Sequence, residues 1–369
     1  MPNKPWSVWA ADSLMQRHEI LGGKWAYEYG VALKGIEEVF YKTGDKKYFD
    51  YIEKTMDYYI TADGEIPLYR KYDFNIDHIN NGKAVLFMLN NALNSKKARY
   101  IKAAEQLRDQ LRHHPRTSDG VFWHKQIYPY QIWLDGIYMG SPFYAQYIRD
   151  VENGTDFSDV ARQFIVSFKH LYAPSTRLMH HAYDESRESF WCDKQTGLSE
   201  NYWGRSIGWY AMACADVLDY IPENDPHRTE LLVIYEKVID GMLRHKHPEL
   251  HVWHQVVNMP DRKGNYIEAS ASCMMVHAMA KGMVRGYLCK DKYLETTKQC
   301  WQGIIDEFIT ITNQGLVNLN KVVQVSGLGP EKDKRRDGSF AYYISEPIIT
   351  NDLKGYGAFI SASTFMEML

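Results

Sequence analysis

Two kinds of apolar segment alternate along this chain. The first is amphipathic and charged. Across 46–60 (KKYFDYIEKTMDYYI) apolar residues recur every three or four positions and polar ones fill the opposite side, the pattern of a helix that buries one face. Similar segments begin near Lys97, Phe157, Pro226 and Tyr293, and an earlier one covers Trp6 to His18. Between them lie segments rich in Gly, Ala and Ser and poor in charge, at 30–41, 80–93, 135–150, 204–220, 269–287 and 355–369. Such segments predict helices buried on two sides, with small residues that let neighbours approach closely.

Six half-exposed and six buried helices in strict alternation predict an all-α fold, an (α/α)6 barrel in which an inner ring of six helices is wrapped by an outer ring of six. The whole chain, 1–369, is then expected to be one domain. A weak internal repeat supports this. The stretches 43–49, 94–100 and 289–294 each follow a buried helix with polar turn residues and an aromatic anchor, then open an exposed one. A parallel α/β fold would need short β-branched runs between helices. Only 251–257 and 316–325 read as strands, and both are loop-length.

Composition narrows the function more than the fold. A formal net charge of −3 offers no basic field for a nucleic acid. No apolar run is long enough to span a bilayer, and the N-terminus lacks a signal-peptide pattern, so a cytoplasmic protein is expected. Five cysteines without a C-x-x-C pair read as reduced and mostly buried. The 27 Tyr, 14 Phe and 10 Trp suit a large helical core, and equally suit stacking on sugar faces.

In a closed helical ring, the loops that enter the inner helices converge on one mouth. The chemistry-bearing residues fall in those loops. They include Tyr27, Asp77 with His78, and the stretch 123–136 (WHKQIYPYQIWLDG) holding His124, Lys125, Trp133 and Asp135. His180, His181, Trp203, Arg205, Trp209 and His254 follow. Aromatic platforms, carboxylates and an Arg that matches a carboxylate fork point to a carbohydrate, and to an anionic one.

Each candidate also has a plain structural role. Asp77 and Asp135 stand where an N-cap would. The apolar neighbours Trp133, Leu134 and Ile137 raise a carboxyl pKa, as a general acid requires, whereas a helix N-terminus favours the anion. A second carboxylate such as Asp77 would help Asp135 keep its proton. A lone His is more often a core residue, and single Trp residues more often pack than bind. No zinc-type His or Cys spacing, phosphate loop or G-x-S-x-G motif occurs. On residues alone, an inverting glycosidase using Asp77 and Asp135, a sugar epimerase using His181 and His254, and a carbohydrate-binding scaffold all stay open.

The strings GVFWHK, YPYQIWLDGIYMG and WGRSIGWY, with a likeness running from Lys24 to Phe359, resemble the unsaturated rhamnogalacturonyl hydrolases of glycoside hydrolase family 105. The resemblance implies an (α/α)6 barrel without metal or organic cofactor. It implies a substrate made by a pectin lyase, with a 4,5-unsaturated galacturonic acid at its non-reducing end. Asp135 then matches the acid that protonates carbon 4 and assists water at carbon 5, and Asp77 the second active-site Asp. His181 matches a His near the uronate, and Arg205 and Trp209 line the unsaturated-sugar subsite. Tyr27, His124, Lys125, Trp133 and Trp203 surround that subsite and the neighbouring rhamnose. Related enzymes take unsaturated glucuronyl ends, so the sugar is less constrained than the reaction. The charged loop 328–340 matches nothing specific and is expected to shape the entrance.

Overall fold

The computed structural model describes residues 4–369. Among these, the inner helices are α2 (Tyr27–Thr43), α4 (Gly82–Asn91), α6 (Leu134–Asp150), α8 (Gly204–Val217), α10 (Ala269–Val284) and α13 (Leu353–Met366). Each packs on the next in that order, and α13 packs back on α2, closing the ring. The outer helices are α1 (Trp6–Arg17), α3 (Lys46–Tyr59), α5 (Asn94–His113), α7 (Ser158–Leu171), α9 (Arg228–Leu243) and α11 (Lys290–Phe308). A short α12 (Phe340–Ser345) lies outside the alternation. The expected (α/α)6 barrel is therefore what the chain forms.

Burial explains the two helix types. Every residue of α8 is buried, whereas α3 buries only Tyr48, Tyr51, Ile52, Thr55, Met56 and Tyr59 along one stripe. The seam between the first and last inner helices depends on small residues. A Cβ at Gly357 would stand 2.6 Å from the carbonyl oxygen of Val31, too close for any other residue. All five cysteines are free and only Cys289 is exposed. No described helix is long and apolar enough to cross a membrane.

The strand content differs in detail from expectation. Among the described residues, four two-stranded antiparallel ladders decorate the loops: β1 (Gln131–Trp133) with β4 (Ala182–Asp184), β2 (Tyr172–Ala173) with β3 (Leu178–Met179), β5 (Ile309–Ile311) with β6 (Val317–Leu319), and β7 (Val322–Val323) with β8 (Ile348–Ile349). The 316–325 stretch holds β6 (Val317–Leu319) and β7 (Val322–Val323), while 251–257 forms only isolated bridges, Trp203 to Val256 and His254 to Ile267. A ladder that periodicity did not predict matters most. It pairs β1 (Gln131–Trp133) with β4 (Ala182–Asp184), Trp133 opposite Ala182.

Candidate active site

A cavity of about 120 Å³ lies against the first turns of three inner helices, α2 at Tyr27, α6 at Asp135 and α8 at Arg205. Its wall includes Tyr27, Asp77, His124, Lys125, Trp133, Asp135, Trp203 and Arg205. Eight of the ten site residues that the family resemblance implies thus share one pocket. Converging helix N-termini place partial positive charge there, a setting for an anionic ligand.

Asp135 is the second residue of α6, and the N-cap position belongs to Trp133, whose side chain makes no cap bond. The capping alternative for Asp135 therefore falls. Its carboxylate oxygen Oδ2 lies 3.1 Å from Nε2 of His181. The β1–β4 ladder and the bond from the Leu134 amide to the His181 carbonyl, 3.1 Å, put the two residues side by side. His181 itself is fully buried, so it backs the carboxylate rather than lining the cavity.

Asp77 does not cap either. It sits in a 3-10 turn, Ile76–Ile79, capped by Asn75, whose side chain accepts from the Asp77 amide at 3.0 Å. The Asp77 carboxylate instead meets the Lys125 ammonium at 2.6 Å, with His124 Nε2 at 3.8 Å. Burial alone would raise the Asp77 carboxyl, but the charge of Lys125, helped by His124, outweighs it and holds the group below its ordinary value. Lys125 moves the complementary way: burial pulls it down, Asp77 more than restores it, and the net shift is upward. The carboxylate expected to keep Asp135 protonated by repulsion is thus already neutralised by its lysine.

The aromatic wall is a stack. The His124 and Trp133 rings lie 4.3 Å apart at 12°, and Tyr128 continues the stack at 4.9 Å from Trp133. Burial pushes the His124 imidazole down to about 4, so the ring is neutral at neutral pH and stacks as an aromatic. Trp133 donates to Gln131 and Trp203 donates to Gln255, each at 3.0 Å, which fixes both indoles.

Arg205 borders the cavity but is already engaged. Its Nε donates to Ser270 Oγ at 2.7 Å, its Nη2 donates to the Val323 carbonyl, and Glu268 lies 3.5 Å away. Glu268 is fully buried and also accepts from the amides of Ala271 and Val323. The Arg205 guanidinium is consequently a rigid part of the floor.

Trp209 is not brought to the pocket. It lies one turn below Arg205, fully buried and stacked on Tyr138 at 4.7 Å, where its role is packing. His254 likewise does not line the cavity, and His180 is tied through Nδ1 to the Ser199 carbonyl at 2.6 Å. The cavity adds Tyr128, Met139, Val325, Ser326, Gly327 and Arg336 to the sequence candidates. Arg336 comes from the charged loop expected at the entrance, and its Nε lies 3.2 Å from Asp333. Tyr343, from α12, reaches His181 at 2.7 Å.

The sequence profile described as Glycosyl Hydrolase Family 88 matches residues 6–369. A solved glycoside hydrolase from family 105 of C. acetobutylicum is 46% identical, with 99% of this chain and 100% of that chain covered and a TM-score of 0.95. The unsaturated rhamnogalacturonyl hydrolase YesR of Bacillus subtilis is 28% identical over 73% of this chain and 74% of its own length. The unsaturated glucuronyl hydrolase of Bacillus sp. GL1 shares the fold at a TM-score of 0.67 and 13% identity, with 97% of this chain and 94% of that chain covered. The family 105 resemblance read from the motifs is borne out, and the chain belongs to the Glycosyl Hydrolase Family 88 family as a glycoside hydrolase.

Proposed function

We propose that this enzyme removes a 4,5-unsaturated galacturonic acid from the non-reducing end of lyase-generated rhamnogalacturonan oligosaccharides, by hydrating the double bond. The observation that carries the reading is Asp135. Its carboxyl stands in an aromatic-walled cavity bordered by the N-termini of α2, α6 and α8, with His181 bonded behind it. A proton from Asp135 goes to carbon 4, and the cation that develops at carbon 5 is captured by water, whose proton returns to Asp135. The hemiketal at carbon 5 then opens to a ketone and leaves a hydroxyl on carbon 1. That carbon is now a hemiacetal, and its collapse to an aldehyde breaks the glycosidic bond, releasing the rhamnose-ended product and an open-chain keto-uronate. One water is consumed and no cofactor is needed.

Three features support the assignment. The His124–Trp133–Tyr128 stack offers a flat apolar wall to a sugar ring. The Asp77–Lys125 pair presents a fixed carboxylate for hydroxyls. Arg205 and Arg336 border a cavity that must hold a uronate.

The test follows the ultraviolet absorbance of the conjugated alkene during incubation with lyase-digested rhamnogalacturonan I. Wild type should remove the absorbance steadily, and Asp135→Asn should lose at least about a hundredfold in rate, the scale of general-acid catalysis. Faster turnover of unsaturated glucuronyl oligosaccharides would move the substrate but keep the reaction. Unchanged absorbance across both panels would overturn the reading.

A further inference from the structure

The opposite end of the barrel carries chemistry that the sugar site does not use. Glu38 of α2, Asp216 of α8 and His277 of α10 meet there, with one oxygen or nitrogen atom from each lying within 4.8 Å of the others. The residues are 7%, 2% and 0% exposed. Both carboxylate oxygens of Glu38, Oδ2 of Asp216 and both ring nitrogens of His277 have no hydrogen-bond partner. Five orphaned polar atoms on three touching residues are not expected of a packed core, because each such atom normally finds a partner.

Charge sharpens the case. The nearby carboxylates Glu37, Asp216 and Asp219 all have counter-ions: Lys34 lies 2.6 Å from Glu37, and Lys281 lies 2.6 Å from Asp216 and 2.9 Å from Asp219. Glu38 has none. Lys83 is buried, without a hydrogen-bond partner and 3.7 Å above the Tyr138 ring, and burial pushes its ammonium down to about 7. It therefore supplies only part of a charge at neutral pH. The inner helices also end on this side, and Asp216 stands in the last turn of α8, where helix dipoles favour cations.

We propose that Glu38, Asp216 and His277 form a site for a divalent transition-metal ion that ties α2, α8 and α10 together across the barrel. Two carboxylates and an imidazole are a borderline donor set, which suits zinc or its neighbours better than calcium or magnesium. The set is neutral with a divalent ion, and Lys281 keeps Asp219 as its counter-ion. A fourth position can take water from the adjoining polar cavity of about 550 Å³, which Glu38 and Lys281 help to line. Glu38 is eleven residues beyond Tyr27 on α2, about 16 Å along the helix at 1.5 Å per residue, so the ion would not touch the sugar.

The test uses the full-length protein, stripped with a chelator, then titrated with Zn²⁺ and with Co²⁺. One equivalent should bind, Co²⁺ should give a visible ligand-field band, and Zn²⁺ should raise the melting temperature by about 5 °C. Glu38→Gln and His277→Gln should abolish the band and the shift, whereas Asp135→Asn should keep both. If a variant fails to fold, the wild-type stoichiometry and band still decide. Less than a tenth of an equivalent bound and no band would overturn the site, as would a band that persists in folded Glu38→Gln and His277→Gln.

Discussion

The Tyr343 hydroxyl lies 2.7 Å from Nδ1 of His181, on the side of the ring away from Asp135. A hydroxyl can donate to a bare Nδ1 or accept from a protonated one. In the first case Nε2 carries the hydrogen and donates to Asp135; in the second, Nε2 accepts from an Asp135 that holds a proton. The proposed cycle has Asp135 give a proton away and take one back. Tyr343 is therefore a positioning residue that allows His181 to follow both states. Phenylalanine at 343 keeps the ring but leaves Nδ1 orphaned in a dry wall, a loss of about 1–3 kcal/mol. Tyr343→Phe should lower kcat by about 10- to 100-fold with KM nearly unchanged and with the melting temperature within a few degrees of wild type. A rise in KM alone would assign Tyr343 to substrate binding instead.

The Asp77–Lys125 pair makes a prediction about pH. Asp77 has its pKa depressed, so the stability and the charge it contributes are present above its unfolded value and are lost as pH falls through the folded one. Removing Lys125 leaves burial as the dominant influence, and burial raises a carboxyl. Lys125→Met should move the acid limb of the kcat/KM profile upward by at least about one pH unit, and should destabilise the fold by about 3–5 kcal/mol, the scale for a broken buried pair. Lys125→Arg should restore part of both. An acid limb that stays in place would show that ionised Asp77 is not required.

The ring of helices was legible because two long signals alternate: outer segments repeat an apolar spacing of three or four, as in α3, and inner ones are rich in small residues and nearly free of charge, as in α8. The β1–β4 ladder was not, since three residues per strand carry no period. Trp209 was misplaced for a geometric reason. It is four residues after Arg205, and that step descends about 6 Å along the helix, out of the mouth and into the packing. Tyr343 reaches His181 across 162 residues of chain, and Glu38, Asp216 and His277 come from three separate helices. No motif spacing encodes either set; only closure of the ring brings them together. Asp77 was found by its position, but its lysine partner inverted the expected role, because sequence shows which charges exist and not which of them pair.

Two buried histidines set the acid limit of the fold. His124 stacks inside the aromatic wall, and His114 bonds through Nε2 to the Trp123 carbonyl at 2.8 Å. Burial pushes both imidazoles down to about 4. In the unfolded chain each titrates near 6.5, so the unfolded state takes up protons first as pH drops. Stability from these two groups is complete above about 6.5, declines as pH falls towards 4, and is gone below it. Urea midpoints measured from pH 7 to pH 4 should fall steadily over that window. In His114→Gln the fall should be shallower than in wild type, by about 1.4 kcal/mol for each pK unit removed. A wild-type midpoint that stays flat down to pH 4, or an unaltered slope in the variant, would show that burial does not hold these imidazoles neutral.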